Sequence, residues 1–213
     1  ALLNERNLRG RTALHVASAA QHVGAVQWLL DQGADPRSTD AAGNTPLHCA
    51  TASTARTAPA ETIAALVARG APRDALNSAG LAPLHLAVQG GDYPAIQALL
   101  DLGAPVDTPD GSQRTPLSHA CATGRVLVVE LLLGRGASAT APDSAGDAPL
   151  HVAARAGDLR VVRALVARGA ALDARNRAGQ TPWDVAPPGP EHAALRDALR
   201  PPFSLRSLFA RKA

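Results

Sequence analysis

With 213 residues, 46% of them apolar and 18% charged, the chain has the composition of a folded globular protein. It is neither a highly charged disordered polymer nor a carrier of the roughly 18 consecutive apolar residues a membrane helix needs. The formal charge is only +3 and comes almost wholly from arginine, Lys212 being the sole lysine, which is too weak and dispersed for a nucleic-acid footprint.

Aromatic residues make up 2% of the chain and methionine is absent. The core is therefore expected to consist of thin layers of Leu, Val, Ile and Ala rather than of large rings. Cys49 and Cys121 are too few for a disulfide framework and fall on apolar helix faces, which points to buried thiols in a reducing compartment. No charged-then-apolar leader opens the chain, so the expected location is intracellular, cytoplasmic or nuclear.

One short phrase recurs six times, beginning at Thr12, Thr45, Ala82, Thr115, Ala148 and Thr181, with steps of 33 residues except for 37 between Thr45 and Ala82. A period of this length marks a stack of small repeated units. Where the phrase begins with Thr, that residue suits a helix N-cap, and the proline that usually follows suits the first helical turn.

In chain order, residues 1–6 match the segment 170–175 in phase and are expected to be the tail of an earlier repeat, the chain being a fragment of a longer array. The first unit, 7–39, opens with a turn from Asn7 to Gly10. Its first helix carries Leu14 and Ala17 on one face, and its second carries Val23, Val26, Leu29 and Leu30 before stopping at Gly33. The second unit, 40–76, repeats this pattern and holds four extra residues among 53–58, where Thr54 and Thr57 are candidate phosphorylation or partner-contact sites.

The third unit, 77–109, follows the pattern closely. The fourth, 110–142, departs from it: its loop reads Asp110-Gly111-Ser112-Gln113, predicting a different turn, and Ser118 stands where histidine is expected, next to His119. After the fifth unit, 143–175, the sixth, 176–200, has its first helix cut short by Pro187-Pro188-Gly189-Pro190. A second helix is predicted over 191–199, with Leu195 and Leu199 inward and Glu191, Arg196, Asp197 and Arg200 outward.

The recurrence in phase of Asp-x-x-Gly-x-Thr-Pro-Leu-His-x-Ala, followed by an apolar helix and a closing Gly-Ala, resembles the ankyrin repeat over residues 1–200. The resemblance implies an all-α solenoid of stacked helix-turn-helix units, with β-hairpin-like finger loops on one edge and first helices lining a concave face. It also implies that His15, His48, His85 and His151 are structural hydrogen-bonders to a neighbouring loop. Its functional implication is a non-catalytic module that binds a partner protein, as a monomer, through the fingers and the concave face.

Candidate partner-binding residues on the fingers are Arg37 and Asp40, Arg73 and Asp74, then Asp107, Asp110 and Asp143, then Arg175 and Arg177, a basic, acidic, basic order along the edge. On the concave face the expected exposed residues are Gln21, His22, Gln89, Asp92, Arg125, Arg155 and Asp158. Trp28, Tyr93 and Trp183 are expected in the core.

No metal-ligand spacing, phosphate loop or nucleophile motif is present, so no cofactor, metal or catalytic residue is assigned. The tail, 201–213, is basic and amphipathic, with Leu205, Leu208 and Phe209 on one stripe. It resembles the start of the SOCS box that follows ankyrin repeats in one family of ubiquitin-ligase substrate receptors, although Phe209 stands in place of that box's Cys and no cullin-binding segment follows. This second resemblance implies elongin B/C as a partner. A lesser alternative is an inhibitor-like regulator of a transcription factor.

Overall fold

The structure is a computed structural model and describes residues 2–52 and 59–200. The insertion with Thr54 and Thr57, and the tail with Leu205, Leu208 and Phe209, lie outside the described residues. Six helix pairs follow one another: α1 (Ala13–Ala19) with α2 (Val23–Asp31), α3 (Pro46–Thr51) with α4 (Pro59–Ala68), α5 (Pro83–Gly90) with α6 (Tyr93–Asp101), α7 (Pro116–Ala122) with α8 (Val126–Gly134), α9 (Pro149–Ala156) with α10 (Leu159–Ala167), and α11 (Pro182–Val185) with α12 (Ala193–Ala198). Single 3-10 turns occupy Leu2–Asn4 and Pro190–His192. No strand occurs among the described residues.

The odd-numbered helices form one row, the inner, and the even-numbered a second, the outer, with each inner helix packing on the next along the stack. Leu14, Leu47, Leu84, Leu117 and Leu150 are completely or almost completely buried on the inner row, as are Leu66, Leu99, Leu132 and Leu165 on the outer row. Each such side chain contributes about 2 kcal/mol by leaving water. Ala50, Ala87, Ala120 and Ala153 stand three residues beyond the inner leucines with no exposure, small enough for successive inner helices to approach closely.

The finger loops share one hydrogen-bonded form. In the second, Asp40 donates its N–H to the Asn44 carbonyl at 2.9 Å, and Gly43 donates to the Asp40 carbonyl at 3.0 Å. The Asp40 carboxylate accepts from the N–H groups of Ala42 and Asn44, each at 2.9 Å. Asn7, Asn77, Asp110, Asp143 and Asn176 bond their loops in the same way.

The fourth loop corrects the expectation of a different turn. Gln113 donates to the Asp110 carbonyl at 2.8 Å, as the glycine does in the other loops, and takes the left-handed φ of +61° to do so. At the corresponding Gly80, φ is +72° and an added Cβ would meet the Gly111 backbone nitrogen at 2.6 Å. A side chain in the left-handed region costs about 1–2 kcal/mol, part of which glycine's extra unfolded-state freedom offsets. Gln113→Gly is therefore expected to stabilise the protein by about 1 kcal/mol, which a shift of the urea midpoint at unchanged slope would register.

At the sixth unit α11 is only four residues long, as the prolines predict, and the following segment begins as a 3-10 turn before α12. Leu195 and Leu199 are buried. Arg196 is not simply outward: its guanidinium lies 4.0 Å from the Trp183 ring centroid, and its Nη1 donates to the Ala186 carbonyl at 3.1 Å.

The three large rings are not in the core. Trp28 is 59% exposed, Tyr93 40% and Trp183 38%. The buried stripe of α2 is set by Val26, Leu29 and Leu30, and Trp28 points away from it. Tyr93 is the first residue of α6, whose buried stripe starts at Ala95.

Candidate interaction surface on the inner-helix face

The repeated histidine ties each unit to the next. In the second unit the Thr45 N–H and Oγ1–H donate to His48 Nδ1 at 3.1 and 2.8 Å, leaving Nε2–H to donate to the Leu81 carbonyl of the next loop at 2.9 Å. A carbonyl can only accept, so these contacts assign the Nε2–H tautomer. His15, His85 and His151 reach the carbonyls of Asn44, Arg114 and Gln180 in the same manner. Burial lowers the pKa of His15 and His48, and lowers that of His85 to about 4.

Ser118 breaks this series. Its hydroxyl is buried and makes no hydrogen bond. Beside it, His119 directs Nε2 to Asp110 Oδ2 at 2.8 Å and Nδ1 to Gln89 Nε2 at 3.4 Å, with its ring edge-on to His85. Burial lowers the His119 pKa against the pull of Asp110. Burial pushes the Asp110 carboxyl up, and the N–H groups of Arg114 and Ser112 with the His119 ring more than offset it, so the net shift is down.

Two depressions open on the side formed by inner helices and loops. One, of about 420 Å³, is lined by Arg11, Ala19, Asn44, His48, Cys49, Ala52, Asn77 and Leu86. The other, of about 330 Å³, is lined by Arg114, Ser118, His119, Ala122, Asp143, Val152, Arg155 and Ala156. Short side chains lie among long ones in both linings. Cys49 is not a reactive feature of the first, since burial raises its thiol to about 11, and that of Cys121 to about 12.

Three arginines on this face are each held by a buried aspartate: Arg11 by Asp40 at 3.2 Å, Arg114 by Asp110 at 3.1 Å and Arg155 by Asp147 at 2.7 Å. Of the residues predicted from sequence, Arg155 and Asp143 line the second depression, and Gln89 borders it through His119. Arg11, Arg114, Ser118, His119 and Asp147 were not assigned to a site. The replacement of the repeated histidine by Ser118-His119 is the sequence signal that marks this place.

Several other predicted site residues are placed differently. Asp40, Asp92 and Asp110 are buried, because a loop aspartate bonding its own backbone turns inward, and Asp92 caps α6 by accepting from the Ala95 N–H. Gln21 is buried as well and donates to the Ala50 carbonyl at 3.4 Å. Asp107, Asp143, Arg125 and Asp158 are half-buried: Asp107 accepts from the Ser138 N–H of the next unit, Arg125 donates to the Gln89 carbonyl, and Asp158 caps α10.

Two of the exposed finger arginines, Arg37 and Arg73, reach along the stack. Arg37 donates Nε to the Gly70 carbonyl at 3.3 Å, Arg73 donates to the Leu102 carbonyl, and Arg175 donates to the Gly179 carbonyl in its own loop. His22, Asp74 and Arg177 are exposed. Among the described residues no three His, Cys, Asp or Glu side chains converge as metal ligands would, and no helix is long and apolar enough to cross a membrane.

Comparison with known proteins agrees with this architecture. The family model for ankyrin repeats in three copies matches residues 1–58 and 55–143, and the single ankyrin-repeat model matches 145–177. Ankyrin repeat domain-containing protein 63 is 38% identical in mouse and 37% identical in human over 97 residues. That match spans 46% of this chain but only 25% and 26% of the two relatives.

Among solved structures, the ankyrin repeat domain of Bcl-3, a member of the IkappaB protein family, superposes with a TM-score of 0.82 at 34% identity, covering 91% of this chain and 86% of that one. The human ASB11 ankyrin repeat domain gives a TM-score of 0.80 at 31% identity, covering 94% of this chain and 89% of that one. The repeated phrase and the stacked helix pairs fall within the matched residues, and the chain belongs to the ankyrin-repeat family.

Proposed function

We propose that this chain is a non-catalytic binding module that holds a partner protein against its inner helices and finger loops. Ankyrin repeats generally mediate protein–protein interaction, and the observation that supports this face is its relief. Two depressions lined by short as well as long side chains carry arginines that are paired with buried carboxylates. Such a surface can take up side chains with little loss of rotamer freedom on its own part.

Ala52 and Ala122 are exposed in these depressions and Ala64 is exposed on an outer helix, so arginine at each is tolerated by the fold. Partners would be captured by proximity labelling with the unaltered chain and then retested by pull-down. Ala52→Arg with Ala122→Arg is expected to reduce capture at least about tenfold, a loss of about 1.4 kcal/mol, while Ala64→Arg leaves it unchanged. Loss with Ala64→Arg alone would move the interface to the outer helices.

A further inference from the structure

The depression in the fourth and fifth units has a chemistry that narrows the partner. Arg114 and Arg155 are both about half exposed, 45% and 52%, and each spends only part of its guanidinium on an aspartate almost fully buried behind it. Arg114 uses Nε and Nη2 on Asp110, and Arg155 uses Nη2 on Asp147. The remaining N–H groups belong to side chains already fixed in place, and both side chains line the same cavity. Fixed guanidinium forks are suited to planar, two-oxygen acceptors.

A hydroxyl side chain belongs to the same lining. Ser118 is 1% exposed, its Oγ has no hydrogen-bond partner, and it lines this cavity. A buried hydroxyl without a partner costs free energy until something bonds it. Val152, Ala122 and Ala156 supply an apolar wall next to these donors.

From this we infer that the depression receives a carboxylate side chain of a partner protein, an aspartate or glutamate adjoining a small apolar residue, bound by Arg114, Arg155 and Ser118. The inference rests on the reading of this face as a protein-binding surface and names the chemistry it selects. A carboxylate suits the site better than a phosphate does: Asp143 also lines the cavity, and Asp110 and Asp147 stand directly behind the arginines. Two arginines against three carboxylates leave no net positive charge, so the acceptor is held by the remaining guanidinium N–H groups, and a single negative charge meets less repulsion there than a phosphate's two. Arg11, held by Asp40 in the first depression, repeats the device nearer the N-terminal end.

The test is fluorescence anisotropy with a labelled peptide in which glutamate alternates with alanine and valine, set against its glutamine and phosphoserine counterparts and a single-stranded oligonucleotide. The glutamate peptide is expected to bind at least about tenfold more tightly than the glutamine one, with the preference weakening as salt rises. Arg114→Gln with Arg155→Gln should abolish the preference, Arg155→Lys should retain part of it by keeping charge without the fork, and Ser118→Ala should weaken binding about threefold. Thermal melts of each variant check that it folds, and Arg155→Gln alone serves if the double variant does not.

Equal affinity for glutamate and glutamine peptides overturns the inference, as does an unchanged preference in folded arginine variants. Tighter binding of the phosphoserine peptide or the oligonucleotide overturns it in favour of a phosphate ligand. If the glutamate preference is absent while Ala122→Arg still abolishes partner capture, only the carboxylate assignment falls; if both fail, the binding face itself is wrong.

Discussion

Replacing His48 by alanine is expected to destabilise the protein by about 3 kcal/mol, read as a fall in the urea midpoint. The imidazole is completely buried. It satisfies the Thr45 N–H and hydroxyl on one side and donates to the Leu81 carbonyl on the other. Alanine leaves a ring-sized cavity, an orphaned buried N–H and a severed tie between two units. In a linear array the loss of one junction is felt by both neighbours, so the slope as well as the midpoint should fall if the units uncouple. His22 is exposed at the start of α2, and His22→Ala should change stability by no more than about 0.5 kcal/mol. Equal effects of the two substitutions would contradict this account of the repeated histidine.

The same imidazoles make the fold acid-sensitive at mild pH. His15, His48 and His85 all have lowered pKa values, chiefly because burial disfavours the charged ring, and that of His85 falls from 6.5 to about 4. Their Nδ1 atoms already accept from backbone N–H groups, so a proton has no vacant place to go. Below pH 6.5 the unfolded chain binds protons that the folded chain refuses, so stability falls with falling pH until the folded rings also titrate.

For His85 the window runs from pH 6.5 to about 4 and the loss is about 3 kcal/mol, with His15 and His48 adding to it in the same direction. Asp40, Asp110 and Asp147 have lowered pKa values, so their contribution is present above the ordinary carboxylate value of 3.8 and is lost only below it. Urea midpoints measured from pH 7.5 to 4 should therefore decline steadily before the carboxylates begin to titrate. A flat profile down to pH 4.5 would show that the rings are not held neutral by burial.

The architecture was legible because one local pattern carries it. Capping Thr45, inward Leu47, tying His48 and small Ala50 each have a fixed task in the unit, so spacing alone locates both helices and the loop. The exposure of charged residues was less legible, because it depends on contacts between units. Asp40 and Asp110 read as fingertips in sequence, yet each turns inward to bond its own loop and an arginine. Arg37 and Arg73 read as free charges, yet they bond carbonyls of the following unit. Trp28 fits an apolar phase of its helix, but the neighbours needed to bury it are not there. The Ser118-His119 departure was visible, whereas its convergence with Arg114 and Arg155 required the stacking of two units.

The most direct test of the binding face is amide hydrogen exchange on the chain with and without a captured partner. Binding through the inner-helix face predicts new protection in α3, α5, α7 and α9 and in the loops around Asn44, Arg114 and Asp147, with the exposed sides of α2, α6 and α8 unchanged. Protection confined to the outer helices or to the tail, with exchange at Ser118, His119 and Arg155 unaltered, would contradict it.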